Sequence, residues 1–387
     1  MIARQSLGSL VLLVLLSVLV LAACQEPAPP ADPDGDSPLG LLSGEEGLDG
    51  YARITGPREV DFPADHGAHP DYRHEWWYVT GNLQSENGRR FGYQLTFFRF
   101  NLAPEMQQRR ASLATNQVWM AHLALTDADG ERYLHAERLA RGAAGLAGAE
   151  VEPFRVWLED WQLEGGSGED PTPFRLQAGT EDFDLSLTLQ ADKPLVLQGD
   201  RGYSQKGDDP GNASFYYSWT RLGTSGEIRL DGELVSVTGE SWMDREWGTS
   251  TLTEEQQGWD WFSIQLDDGR DIMFYHLRLS DGGIEPRSKG LLVEADGSYR
   301  VLDLDAVALE ALRYWDSPEG GARYPVAWRM QIAGEALDLR LEAVLDDQEL
   351  RGGFRYWEGA IDVRGEAADG TVRGHGYAEL TGYASSD

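Results

Sequence analysis

The second half of this chain repeats the segment order of its first half, and that repetition limits the folds open to it. His74-Glu-Trp-Trp-Tyr-Val-Thr-Gly-Asn-Leu83 and Phe91-Gly-Tyr-Gln-Leu-Thr-Phe-Phe-Arg-Phe100 are aromatic and β-branched runs joined through Asn87-Gly88, a strong hairpin signal. Trp259-Asp-Trp-Phe-Ser-Ile-Gln-Leu266 and Asp271-Ile-Met-Phe-Tyr-His-Leu-Arg-Leu279 echo them, with matching arginines in the turn (Arg90, Arg270) and at the strand end (Arg99, Arg278). In the same order follow Leu123 to Gly130 with Leu291 to Gly297, then Phe174 to Leu187 with Trp328 to Leu341. Last come Tyr217-Ser-Trp-Thr with Tyr356-Trp-Glu-Gly, and Val237-Thr-Gly-Glu-Ser-Trp-Met-Asp244 with Val372-Arg-Gly-His-Gly-Tyr-Ala-Glu379. Ordered repetition of strand-like units predicts one topology used twice. We therefore expect an all-β chain of two tandem antiparallel barrels from an internal duplication, residues 51–247 and 248–387, with Asp244 and Glu379 as equivalent acids and Trp242 superposing on Tyr377. Helical periodicity is confined to Leu102–Ala114 and Ala306–Leu312.

The N-terminus reads as an export signal. Arg4 precedes an apolar run from Leu7 to Leu21, which ends in Leu21-Ala-Ala-Cys24, a run too short and wrongly flanked for a spanning helix. Cys24 is the sole cysteine and stands where a bacterial lipobox places the lipidated residue, so residues 1–23 are expected to be removed and Cys24 to carry a lipid anchor. Residues 24–50 are rich in Pro, Asp, Gly and Glu, the composition of a disordered tether. Gln25 follows in place of an Asp retention signal, which favours a periplasm-facing position on the outer membrane over the inner one. The net charge of −32 repels nucleic acid and anionic lipid, so the expected membrane contact is the anchor alone.

Gly239-Glu-Ser-Trp-Met-Asp-Arg-Glu-Trp-Gly248 concentrates acids, an arginine and tryptophans. On a strand, alternation sends Trp242, Asp244 and Glu246 to one face and Met243, Arg245 and Trp247 to the other. Arg245 should then pair with a carboxylate from another strand. Two readings fit such a triplet: an ion-paired tie, or an acid held beside an aromatic wall. Under the second, Glu75 and Gln94 on paired strands would face Asp244 across a cavity. Trp76, Tyr78, Tyr217, Trp247, Trp259, Trp261 and Tyr377 would supply its walls, and His122, in an apolar strand, a polar contact. His66-x-x-His69 with Asp65 and Asp71 has some metal-ligand character, but its Pro- and Gly-containing setting suits a hydrogen-bonded loop better. No metal or cofactor is expected. No Gly-x-Ser-x-Gly elbow occurs.

Phe62-Pro-Ala-Asp-His-Gly-Ala-His-Pro70, His74-Glu-Trp-Trp-Tyr, Phe91 to Arg99, Ser241 to Gly248, Gly258-Trp-Asp-Trp-Phe and Tyr377-Ala-Glu-Leu-Thr-Gly-Tyr383 resemble the AttH-like secreted lipocalin-type proteins. That family is related to carotenoid 1,2-hydratases (hydroxyneurosporene synthases). The resemblance spans about residue 55 to the C-terminus and implies two lipocalin-like barrels. For the hydratases it implies an essential aspartate ahead of a Trp-Gly segment, the position of Asp244 before Trp247-Gly248. Where the hydratases carry His and Asn near that acid, this chain has Met243, Arg245 and Glu246.

Hydration of an isolated double bond needs a strong proton donor, a way to stabilise a carbocation, and an apolar cavity. An aspartic acid kept protonated by burial supplies the first. Tryptophan faces supply the second, at ~2 kcal/mol each when dry. The leading reading is an envelope lipoprotein that carries a hydrophobic, isoprenoid or lipid-like molecule, serving an ABC-type exporter. The alternative is a hydratase or isomerase with Asp244 as general acid, Trp242 and Glu246 beside it. The third is an envelope assembly protein without a ligand. Cys24→Ser is expected to yield soluble, folded protein; variant protein that stays in the membrane fraction after a salt wash would refute the anchor.

Overall fold

The computed structural model describes residues 48–104, 115–250 and 252–383, nearly all of them in antiparallel strands or the turns between them. Alternation drives this: in the strand Phe183–Ala191, the residues Phe183, Leu185, Leu187 and Leu189 are buried and those between them are not, as a sheet with one face on a core requires.

The first half contains β1 (His74–Ser85), β2 (Arg90–Asn101), β3 (Gln117–Asp127), β4 (Arg132–Arg141), β5 (Ala147–Glu150), β6 (Arg155–Leu158), β7 (Trp161–Glu164), β8 (Phe174–Gly179) and β9 (Phe183–Ala191). The short β10 (Val196–Leu197) and β11 (Tyr203–Gln205) lead to the long β12 (Ala213–Leu230) and β13 (Glu233–Ser250). The second half contains β14 (Gln256–Leu266), β15 (Asp271–Leu279), β16 (Lys289–Val293), β17 (Tyr299–Asp303), β18 (Val307–Asp316), β19 (Arg323–Ile332) and β20 (Leu337–Ala343). It closes with β21 (Glu349–Arg351), β22 (Arg355–Ala367) and β23 (Gly370–Leu380).

The two sheets have one strand order. The first runs β4-β3-β2-β1-β13-β12-β9-β8-β7 and continues through β6 and β5; the second runs β17-β16-β15-β14-β23-β22-β20-β19-β18. In each, the last strand is inserted between the first strand and the long one before it, as the repeated segments require. The first sheet curls into a nearly closed barrel and the second, lacking partners for β5 and β6, into a half-barrel. The break between them falls between Ser250 and Gln256. Register sharpens the repeat: Asp244 pairs with Tyr78 and Ser218, while Glu379 pairs with Trp261 and Glu358. Tyr216, rather than Tyr217, is thus the counterpart of Tyr356. The expected helix at Ala306–Leu312 is instead a 3-10 turn followed by β18, whose residues alternate in exposure; pairing with β19 overrides the helical preference of Ala, Leu and Glu. The other expected helix lies largely outside the described residues, as do Cys24 and most of the tether.

Each half has its own core, one holding Trp77, Trp119, Trp161, Trp219 and Trp247, the other Phe262, Trp328 and Trp357. A third apolar cluster, with Tyr78, Tyr216, Trp242, Trp261 and Tyr377, lies in the seam where the outer faces of the two sheets meet. Gly92 permits that approach, since a Cβ there would sit 2.6 Å from Cβ of Ala360. The seam is tied by buried polar contacts. Asp271 accepts from Lys193 at 2.7 Å, Thr220 at 2.8 Å and Arg221 at 2.7 Å, and Gln265 donates to the Thr220 and Ser241 carbonyls. Removing the Asp271 carboxylate takes the buried Lys193 ammonium's ion-pair partner and leaves Arg221 with Glu240 alone. Asp271→Ala is expected to lose ~3 kcal/mol or more in urea unfolding; a loss under ~1 kcal/mol would show that the tie contributes little.

Candidate active site

Strand β13 sorts its charged triplet by face. Arg245 points into the first barrel, where its guanidinium stacks on Trp77 at 3.9 Å, bonds Glu75 and donates to the Gly67 carbonyl at 2.5 Å. Glu75 also pairs with Arg99, and this burial between two arginines holds its carboxyl well below the usual range against the desolvation that would raise it. Arg245 therefore neutralises Glu75, and Asp244, on the opposite face, has no cationic partner among the described residues.

Asp244 faces the seam. Its carboxylate accepts from Tyr216 Oη at 2.5 Å, Ser218 Oγ at 2.5 Å and Trp242 Nε1 at 2.7 Å, and Trp261 Nε1 donates in turn to Tyr216 at 3.1 Å. Burial pushes its pKa up to about 7, against the lowering effect of these donors. The same strand face carries Glu246, bonded by Ser214 and paired with Lys206 at 3.2 Å. Lys206 is buried too; desolvation opposes its charge, but Glu246 and Tyr275 outweigh it and raise its pKa. Across the seam stand the counterparts from the second half. Burial pushes Glu358 up to about 8, and neither of its oxygens closes a well-formed hydrogen bond. Burial first, then the nearby Glu358 charge, raises Glu379, although Trp259 Nε1 donates to it at 3.2 Å.

These groups line a chamber of about 680 Å³ of non-atom space, its open mouth included. Its walls are aromatic: Tyr78, Tyr216, Trp261, Tyr275 and Tyr356 deep within it, with Trp76, Phe98 and Trp259, each part-exposed, nearer the mouth.

Of the residues expected at the site, Asp244, Glu246, Trp76, Tyr78, Trp259 and Trp261 line the chamber, and Trp242 and Tyr377 pack in the same cluster. Glu75, Tyr217 and Trp247 do not: each is one strand position out of phase with the chamber-facing set, so alternation turns them into the first core. Glu75 thus does not face Asp244. Gln94 lies on the seam side but bonds Thr96 and is not in the wall. His122 sits behind Tyr356, to which it is bonded. In the His66-x-x-His69 loop, His66 bonds Tyr217 and the Glu169 carbonyl, while His69 bonds Asp65 and Glu75. Sequence reasoning missed Ser218, Tyr216, Glu358 and Lys206. Tyr216 and Glu358 would have emerged had the repeat been aligned one residue differently in β12 and β22; Lys206, outside any strand, left no periodic trace.

Residues 53–383 match the AttH-like family profile. Kievitone hydratase from Fusarium solani subsp. phaseoli is 25% identical over 235 residues, 58% of this chain and 64% of that protein, so the match spans less than two thirds of that relative's length. An AttH protein from Nitrosomonas europaea is 37% identical, with a TM-score of 0.75 over 86% of this chain and 100% of that one. Kievitone hydratase from Nectria haematococca shares the fold at 16% identity, with a TM-score of 0.65 over 87% of this chain and 99% of that one.

The raised carboxyl has a consequence for stability. Below pH ~4 Asp244 is protonated folded or unfolded, and its contribution is complete. As pH rises toward about 7 the unfolded chain releases this proton while the folded chain keeps it, so stability falls. Urea midpoints of wild type should decline over that window more steeply than those of Asp244→Asn; parallel profiles would mean that Asp244 ionises normally.

Proposed function

The chain belongs to the AttH-like family, and from that premise we propose that its chamber binds a hydrophobic molecule with an isolated, isoprenoid-type double bond and adds water across it. The observation that carries this reading is Asp244, an acid with a pKa near 7 held by three donors among aromatic rings. Asp244 gives its proton to one alkene carbon, and the facing π-systems of Trp261 and Tyr216 stabilise the cation that develops on the other. Water adds to that cation and loses a proton to the Asp244 carboxylate that the first step left behind. The product gains one hydrogen and one hydroxyl, and Asp244 ends the cycle protonated, as it began.

A carrier for the same ligand is the second reading. It is favoured by the aromatic lining but gives no reason for Asp244, Glu358 and Glu379 to be desolvated together with Lys206 as the chamber's cation, an arrangement costly to fold around. The likeness to proteins named kievitone hydratase supports hydration over carriage. A lipid anchor at Cys24 would hold the chamber at a membrane, where such ligands partition, and an exporter would fit the carrier reading better than the enzyme.

The test uses heavy-oxygen water and a panel of isoprenoid alkenes. Wild type should place the heavy oxygen in an alcohol product, with a rate that declines as pH rises through about 7. Asp244→Asn should bind the alkene with similar affinity yet make product at least ~100-fold more slowly. A ligand bound and recovered unchanged from wild type would favour the carrier.

A further inference from the structure

The second-half wall of the chamber holds acids that no cation of the protein balances. Glu358 on β22 and Glu379 on β23 are cross-strand partners, which brings their side chains to one face of the sheet. Glu358 has no exposed area and neither of its oxygens has a hydrogen-bond partner, while Glu379 accepts from Trp259 Nε1 at 3.2 Å. The titratable groups facing Glu358 are Tyr78 on β1, Tyr133 on β4, Tyr377 and Glu379 on β23 and Tyr356 on its own strand, none of them a cation. Lys206, the cation in the chamber wall, is already paired with Glu246 at 3.2 Å. The wall therefore sets four carboxyls, those of Asp244, Glu246, Glu358 and Glu379, against one ammonium. Without a cation beside it, burial pushes Glu358 up to about 8.

From this imbalance we propose that the chamber binds a lipophilic amine, its ammonium head against Glu358 and Glu379 and its hydrocarbon along the rings toward the mouth. The buried acids supply the counter-charge, and the faces of Tyr78, Tyr356, Trp259 and Trp261 attract the same head through their π-systems. An organic cation fits this wall better than a metal ion. Among the described residues no group of three or more His, Cys, Asp and Glu could hold a metal ion, and rings rather than further oxygens surround the two acids. The net charge of −32 favours entry of a cation over an anion. The proposal stands apart from the hydration reading, since it needs neither a double bond nor turnover. Its proton balance is simple. A quaternary ammonium cannot take up a proton, so pairing with it breaks one carboxyl O–H bond of the Glu358 and Glu379 pair and sends that proton to solvent. Because the proton must be displaced, affinity for such a cation rises with pH up to about 8 and then levels off.

The test is titration calorimetry with octyltrimethylammonium and with 1-nonanol, a neutral chain of similar length, each in two buffers of different ionisation enthalpy. Wild type is expected to bind the ammonium at least ~10-fold tighter than the alcohol and to release about one proton per ligand at neutral pH, a release that fades above about 8. The double variant Glu358→Gln with Glu379→Gln keeps the shape of both side chains; it should lose the proton release and lower the ratio of the two affinities by about 10-fold. Its melting temperature in acid, where the wild-type carboxyls carry their protons too, checks its fold, and the wild-type titrations decide the matter even if it does not fold. Equal affinity for the two probes, no binding of the ammonium, or binding without proton release in wild type would overturn the proposal. A loss from Asp244→Asn as large as that from the double variant would place the counter-ion on the other wall and overturn it as well. An alcohol product from an alkene with no preference for the ammonium would remove this site and leave hydration standing; the preference without such a product would do the reverse.

Discussion

The seam between the two β units buries several carboxylates, and its chemistry depends on how one of them, Asp244, is kept apart from the nearby cations that pair with the others. Asp244, Arg245 and Glu246 are consecutive in β13, yet a pleated strand gives Asp244 and Arg245 opposite faces. Arg245 goes inward to Glu75, where Arg99 completes a buried triad with that carboxylate. Asp244 goes outward to hydroxyl and indole donors that are neutral. Had the strand slipped by one residue, the arginine would have faced the seam and Asp244 would have become an ordinary ion-paired carboxylate.

Duplication explains why this seam is a chamber. Two copies of one topology meet through the same strands, β1, β12 and β13 against β14, β22 and β23, so each copy presents an acid, a tyrosine and a tryptophan at corresponding places. The copies have since diverged. Ser218, which bonds Asp244, stands where the second half has Glu358, so Asp244 meets a hydroxyl where Glu379 meets another acid. Burial first, and then the Glu358 charge, raise Glu379.

The fold was legible because its signals are periodic and repeated. Turn residues, alternation and segment order predicted the strand topology, the shared last-strand position and the opposite facing of Asp244 and Arg245. What was not legible follows from the limits of alternation. It says which residues share a face but not which face looks inward, so Trp247 and Tyr217, aromatic and close to the motif, were expected at the site although they belong to the first core. A one-residue misalignment of β12 against β22 hid Tyr216 and Glu358, and the curvature that leaves the second unit a half-barrel depends on strands present in only one copy. Lys206 lies between strands, and its approach to Glu246 is a tertiary contact that no local pattern encodes.

The central claim is that Asp244 is an acid that holds its proton up to neutral pH because the seam desolvates it. The most direct measurement is the carbon-13 chemical shift of its side-chain carboxyl in protein labelled at aspartate, assigned by the resonance missing from Asp244→Asn and followed as a function of pH. The account predicts a midpoint near 7. A midpoint in the ordinary aspartate range, close to 4, would contradict it.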